Sequence, residues 1–506
     1  MKKVKILSVC LIAGFLVFSG CIRSNKISSA GPPAIIPVPD SLEFLKGNMK
    51  LTSKSRIIYS SNELTPLAAM VSGEIGQLTS LRLAISTEKP GNGDIVLEIK
   101  PDMHSEEYKL DINKKAVVMG GNINAVSLGT VTLLQALSDT AGTIEIPRMK
   151  IKDKPLTPYR GLMLDVAREP HTLNILKQAV VLCRWYKIRY LQLHLTDNEG
   201  FTFPTTAYPK MLSSDINQQG KRHFSLDEVR ELEDFARDRG VAIIPEIELP
   251  GHGMAILRGM PELFGGPPRN ERHQAICVGN ERVYEVLDTI IAEMCDVFKT
   301  TPYFHIGADE VDYDNWDYCP ETNKFMAAHN IDDYIELYRY FIARMNDIVK
   351  KHGKKTIVWE GFHKEGKIQI PRDITVMVYE CKFNLPQDLV ADGYDVINAA
   401  WQPLYVTPGK SWEPEYIYNR WNLYRWENWW DQSKAFPNGI EVLPTSKVIG
   451  AQMVTWCMSD DKEIPALRER LAAMSERIWN PGAGRTFADF TARFRSTDEK
   501  LTLLLP

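Results

Sequence analysis

The chain has 506 residues, 44% of them hydrophobic and 25% charged, with a formal net charge of −4. That length is too great for one small core and implies two domains, one of them large, while the ordinary globular composition excludes a long disordered region. A mildly acidic balance with no Lys/Arg-rich run excludes nucleic acid as a partner.

The first segment reads as targeting rather than fold. Lys2, Lys3 and Lys5 make a basic start, 6–18 is apolar, and the small residues Ser19 and Gly20 stand directly ahead of Cys21. The apolar run is too short to span a bilayer comfortably. Small residues before a Cys resemble a bacterial lipoprotein box, which implies cleavage and a lipid on Cys21. Phe18, where an aliphatic residue is usual, departs from that pattern, and the alternative is ordinary secretion with cleavage nearby. On the first reading residues 1–21 are a signal peptide with its lipidation Cys. The mature protein is then exported, periplasmic or at the cell surface, and lipid-anchored to a bacterial membrane. Beyond Cys21 lie Cys183, Cys277, Cys295, Cys319, Cys381 and Cys457, with no CxxC pair and no metal-like cluster with His. Spacing leaves disulfides and buried free thiols both open.

Residues 22–33 are polar and small and end in Gly31-Pro32-Pro33, a linker. From 34 to 152 the pattern predicts a smaller α+β domain. Short β-like runs alternate with helical ones, 108–112 and 116–119 form a hairpin pattern, and 124–137 has helical spacing. No polar constellation stands out there, and its role is read as structural.

From 153 to 500 strands alternate with helices. The predicted strands are 161–166, 190–195, 241–247, 303–306, 355–360, 374–380, 396–401 and 449–456. Predicted helices include 173–185, 225–239, 281–298, 332–351 and 464–479, the second opened by the capping-box match Ser225-Leu226-Asp227-Glu228. Eight strands over this span fit a (β/α)8 TIM barrel. A doubly wound open sheet is the alternative, but the first strand lacks a glycine-rich phosphate fingerprint.

In such a barrel the C-terminal strand ends form one site. They bring Asp165 and Arg168, His194 and Asp197, Glu248 and His252, and Asp309 and Glu310. The later strands add Trp359, Tyr379, Trp401 with Tyr405, and Trp456. Each alone is weak, since an Asp at a strand end is more often a helix cap and a Trp more often core. Together, carboxylates and an aromatic wall describe a pocket for an uncharged polar ring such as a sugar.

Four motifs occur in order: Tyr159-Arg160-Gly161-Leu162-Met163-Leu164-Asp165-Val166-Ala167-Arg168, His194-Leu195-Thr196-Asp197, Pro245-Glu246-Ile247-Glu248-Leu249-Pro250-Gly251-His252, and His305-Ile306-Gly307-Ala308-Asp309-Glu310. With them the chain resembles glycoside hydrolase family 20, the β-N-acetylhexosaminidases, over nearly its whole mature length. That resemblance implies an exo-acting, retaining hydrolase of terminal β-linked N-acetylhexosamine (GlcNAc or GalNAc), working without cofactor or metal. In it the substrate's own 2-acetamido oxygen attacks C1 to give an oxazolinium. By resemblance Glu310 is the general acid/base, Asp309 orients the acetamido N–H, and Tyr405 binds the acetamido oxygen. Trp359, Tyr379, Trp456 and Trp401 line the sugar, and Arg160 grips O3 and O4. Asp197 and His252, with Glu248 and His194, support the acid/base from behind.

Two positions depart from the family. The Glu that often follows the last-strand tryptophan is replaced in Trp456-Cys457-Met458, and an Asp two residues after the tyrosine is replaced by Thr407. Asp460 or Asp461 could substitute from a shifted loop; otherwise the pocket accepts a modified, sulfated or extended sugar. The insertion 411–430 carries Trp412, Trp421, Trp426, Trp429 and Trp430, readable equally as a stacking platform or a self-packed loop core. Two other classes fit the residues less well. A glycan-binding protein that lost turnover has no use for an intact acid pair. A metal-dependent hydrolase would draw on His194, His252 and His305, which the sugar-enzyme motifs explain better.

Overall fold

The computed structural model describes residues 32–140, 142–169, 171–212, 223–265, 275–427, 436, 438–483 and 485–506. The expected leader, Cys21, nearly all of the linker, Trp429 and Trp430 lie outside the described residues. No helix among those described is long and apolar enough to cross a membrane.

The N-terminal part is built on one eight-stranded sheet. Its hydrogen-bonded order is Ser41–Leu51, Thr143–Asp153, Tyr108–Ile112, Ala116–Gly120, Ile95–Ile99, Arg56–Tyr59, Ala84–Ser86, with Ser138–Thr140 on the second strand. The predicted hairpin is present, with Ile112 opposite Ala116. Helices Thr65–Thr79 and Ile123–Gln135 pack one face, the latter opened by Asn122, whose side chain accepts the Ala125 N–H at 3.0 Å.

The rest is the barrel: β1 (Tyr159–Asp165), β2 (Tyr190–His194), β3 (Ala242–Leu249), β4 (Tyr303–Gly307), β5 (Lys355–Trp359), β6 (Thr375–Val378), β7 (Asp395–Asn398) and β8 (Val448–Thr455). Neighbours pair in parallel all the way round, and β8 joins both β7 and β1, which closes the sheet. Every residue of β1, β2 and β3 is buried, as the continuous apolar runs required of strands covered on both faces. Tyr159 and Tyr190 stack at 4.9 Å and Tyr303 meets Tyr190 edge-on at 5.4 Å, plugging the N-terminal mouth. The sides of the barrel are ringed by helices such as Leu226–Asp238, whose Ser225–Glu228 capping box forms as read. A last helix, Phe487–Leu504, was not predicted; it packs against Thr65–Thr79 and ties the C-terminus to the N-terminal sheet domain.

Three polar bridges cross between these parts at the plugged end. Arg184 lies on Glu74 (2.9 and 2.8 Å), Arg160 on Glu106 (2.7 Å), and Lys187 on Asp153 (3.3 Å) and Tyr108 (2.8 Å). Arg160 is therefore misplaced in the sequence reading. It is the second residue of β1, at the opposite end from the catalytic face, 0% exposed and further held by the carbonyls of Thr157 and Lys187. A strand advances about 3.3 Å per residue, so five more residues separate it from the strand's C-terminal end by roughly 16 Å.

Candidate active site

The site rests on a buried polar floor. Glu246, in mid-β3, takes four nitrogens: Gln192 Nε2 (2.8 Å), His194 Nδ1 (2.8 Å), Trp359 Nε1 (2.7 Å) and His305 Nδ1 (3.1 Å). Burial alone would raise its pKa, but His305 and His194 outweigh it and hold the carboxyl well below the usual range. His194 passes the charge upward, its Nε2 lying 2.9 Å from Asp197. Burial opposes its protonation, yet Glu246 and Asp197 push it up to about 10. Donor atoms of His194, Glu246 and Glu248 lie within 4.8 Å of one another. Those of His194 and Glu246 are already engaged with carboxylates and N–H donors, so the set is a hydrogen-bonded floor and not an ion cage.

Above the floor the end of β4 bends sharply. Gly307, Ala308 and Glu310 have φ of 70°, 74° and 47°. At Gly307 a Cβ would lie 2.0 Å from the Glu248 carboxylate, so only glycine fits. The bend is held by Glu248, which accepts the Ala308 N–H at 2.9 Å, and by Tyr338, whose hydroxyl donates to the Ala308 carbonyl. Its consequence is that the two acids enter different surroundings. Asp309 is half-buried and accepts from the Tyr379 hydroxyl at 3.1 Å. Burial, with the charges of Glu310 and Glu246 added and His252 opposing, pushes it up to about 6. Glu310 is 47% exposed, and His252 Nε2 lies 3.4 Å from its carboxylate. The other ring nitrogen of His252 is 3.3 Å from Asp197, which also receives Arg168 at 2.6 Å.

The aromatic residues close the remaining sides. Tyr379 and Tyr405 stack with centroids 6.1 Å apart, and Trp401 stacks on Tyr405 at 5.1 Å. Trp359 meets Tyr379 edge-on at 5.6 Å, and Trp456 lies 6.3 Å from both Trp359 and Tyr405. Of the tryptophan-rich insertion, Trp421 and Trp426 are buried, Trp426 donating to the Val378 carbonyl at 3.1 Å; these two form loop core. Trp412 instead sets its edge against Trp401 at 5.4 Å and belongs to the rim of the site.

The guanidinium that faces this site is Arg168. Its carbon lies 4.9 Å from the Trp456 ring centroid, with Asp165 at 3.2 Å and Glu199 at 3.7 Å besides Asp197. The sequence placed Arg168 at a strand end but gave the sugar-gripping role to Arg160, which the fold assigns elsewhere. Neither Asp460 nor Asp461 compensates for the departures at Met458 and Thr407. Met458 is only 5% exposed, and the Thr407 hydroxyl donates to the Lys410 carbonyl. Asp460 is taken by His171 at 2.7 Å and Asp461 by Ser459, so neither replaces the missing carboxylates.

Three features escaped the sequence reading. Glu380, directly after Tyr379, is pushed up to about 7 by burial and then by the charge of Glu310. Its position at the end of a strand was the available signal. Glu199 stands two residues beyond Asp197 in a turn read only as polar. Cys277 and Cys319 form a disulfide, Cα atoms 5.9 Å apart, joining the segment behind His252 to the one that follows Glu310.

The family model "Glycosyl hydrolase family 20, catalytic domain" matches residues 157–482, and "Glycosyl hydrolase family 20, domain 2" matches 32–154. A "Beta-hexosaminidase" of Porphyromonas gingivalis is 27% identical over 93% of this chain, which spans 63% of that relative's length. One of Vibrio furnissii is 26% identical over 85% of this chain and 73% of its own length. Among solved structures, the beta-N-acetylhexosaminidase from Bacteroides fragilis superposes with a TM-score of 0.78 at 22% identity, covering 92% of this chain and 94% of that one. At that identity the likeness establishes the fold.

Proposed function

The chain belongs to glycosyl hydrolase family 20, and from that premise we propose that it removes terminal β-linked N-acetylhexosamine from glycans with retention of configuration. The observation that carries this reading is the divided pair. Asp309 is fixed by Tyr379 inside the aromatic box, and Glu310 stands at its mouth against His252.

In the reaction Glu310 gives its proton to the glycosidic oxygen as the C1–O bond breaks. The acetamido carbonyl oxygen closes on C1, forming the oxazolinium. The Asp309 carboxylate accepts the acetamido N–H and offsets the positive charge that develops there, and the Tyr405 hydroxyl donates to the acetamido oxygen. Tyr379, Trp359 and Trp456 exclude water from that group. Water then attacks C1 from the face the leaving group vacated, Glu310 takes its proton, and the acetamide is regenerated. His252 and Asp197 hold Glu310 and feed charge to it from below. Arg168, not Arg160, donates to ring hydroxyls; its planar fork suits two neighbouring oxygens.

Met458 and Thr407 favour one refinement: with no carboxylate from either position, the O6 side accepts a modified, sulfated or extended N-acetylhexosamine. Leader 1–21, linker 22–33, accessory domain 34–152 and catalytic domain 153–500 complete the organisation. The basic–apolar–small pattern ahead of Cys21 supports a lipid anchor that places the enzyme in the periplasm or at the cell surface. A thiazoline analogue of the oxazolinium tests the mechanism. Strong competitive inhibition of aryl β-N-acetylglucosaminide hydrolysis is expected, and no inhibition would remove the substrate-assisted route.

A further inference from the structure

Three carboxylates surround Arg168, and they are not equivalent. Asp165 accepts the backbone N–H groups of Ala167 (3.2 Å) and Arg168 (3.0 Å) with one oxygen. The other oxygen meets the Arg168 side chain and the Cys457 N–H (3.3 Å). Asp197 is committed to His194, His252 and Arg168. Glu199 is different. Its side chain is 39% exposed, its Oε2 is buried 3.7 Å from Arg168 Nε, beyond hydrogen-bond reach, and that oxygen meets no donor among the described residues. Burial and the Asp197 charge raise its pKa, as for a carboxylate whose partners are incomplete.

Its place in the barrel says which part of a sugar would complete it. The acetamide wall is made by the ends of β4 to β7, through Asp309, Trp359, Tyr379 and Tyr405. Arg168 and Glu199 follow β1 and β2, on the far side of Trp456, which follows β8 and stands between them and that wall. A pyranose whose C2 substituent enters the wall turns its C3 and C4 hydroxyls towards this opposite side. The two positions where a carboxylate is usual on that side are Met458 and Thr407.

We propose that Glu199 is a specificity-determining residue whose carboxylate accepts a ring hydroxyl, O4 first, beside the Arg168 guanidinium. This rests on the N-acetylhexosaminidase reading and deepens it: the hydroxyl end of the pocket is read by an acid from the second strand's loop. An ionised acceptor makes the stronger class of hydrogen bond, and a site built to receive a hydroxyl discriminates against a substrate that lacks it. Arg168 stays in place without Glu199, because Asp165 and Asp197 hold it at 3.2 and 2.6 Å.

The test compares kcat/KM for an aryl β-N-acetylglucosaminide and its 4-deoxy analogue in the full-length protein, Glu199→Gln and Glu199→Ala. A hydrogen bond to a charged group predicts that the wild type prefers the hydroxylated substrate by about tenfold or more. That ratio should fall at least threefold in Glu199→Ala, through a higher KM on the hydroxylated substrate, while staying above one because Arg168 still donates to the hydroxyls, with Glu199→Gln between. Because the ratio is taken within one variant, it does not depend on how much of the variant folds. An unchanged ratio in Glu199→Ala, with both substrates losing equally, overturns the proposal and leaves the enzymatic reading standing. A wild type that hydrolyses neither substrate overturns both.

Discussion

His252 Nε2 lies 3.4 Å from the Glu310 carboxylate while its Nδ1 lies 3.3 Å from Asp197. The imidazole thus links the exposed acid to a carboxylate that is itself paired with His194 and Arg168. Burial would lower the pKa of His252, but Asp197 and Glu310 outweigh it and raise it well above the usual histidine value, which favours the cation. Replacing it by Gln keeps bulk but removes that cation. A loss of about 10²-fold in kcat is expected from a freed acid/base, larger for poor leaving groups than for dinitrophenyl. Equal losses on both would show that His252 does not act through Glu310.

Glu310→Gln should abolish turnover of a β-N-acetylglucosaminide with a poor leaving group, by 10²-fold to 10⁴-fold as for a missing general acid. Binding of the substrate, read by calorimetry, should stay within about threefold, since the residue stands at the mouth of the pocket.

Asp309 gives opposite pH dependences to activity and stability. Its carboxyl titrates at about 6 in the folded protein against the usual 3.8. Between those values the folded chain holds a proton that the unfolded chain has lost, so stability falls as pH rises from about 4 to about 6. Activity needs the carboxylate, so kcat/KM should rise through pH 6 on the acid side. Asp309→Asn should remove that acid limb with the activity and stabilise the protein at pH 7.5 by on the order of 2 kcal/mol, allowing for partial solvent exposure. Tyr379→Phe, by deleting the 3.1 Å hydrogen bond, should move the acid limb of kcat/KM to higher pH.

The two arginines of the first strand segment separate cleanly. Arg168→Ala should cut kcat/KM at least tenfold with a modest effect on Tm. Arg160→Met should lower stability by about 3 kcal/mol, because Glu106 loses its buried partner, and should leave kcat/KM within about twofold. The reverse outcome would restore the assignment drawn from the sequence.

Cys277 and Cys319 close a loop with a sequence separation of 42. Chain entropy alone assigns such a crosslink about 4 kcal/mol. Reduction, or Cys277→Ser with Cys319→Ser, should lower Tm accordingly.

The barrel and the acid pair were legible because their signals are local. Continuous apolar runs mark strands buried on both faces, and motifs at their ends carry the chemistry. Arg160 and Arg168 show the limit. Both lie in one motif and both are plausible hydroxyl ligands, but only strand direction and length decide which end each occupies. The disulfide was illegible for a related reason, since its halves meet only after β3 and β4 are side by side. Glu199 lacked any local mark at all; what distinguishes it is the engagement of the carboxylates around it.

At the plugged end of the barrel three cations come from one side and their three anions from the other: Arg160, Arg184 and Lys187 against Glu106, Glu74 and Asp153. The boundary between the two parts is therefore not a place where the molecule can be divided. A catalytic half expressed from residue 154 onwards would lose the counterions of all three cations and open the face they lie in to water. The N-terminal sheet is an obligatory half of the enzyme's folding unit, and the two should melt in one transition.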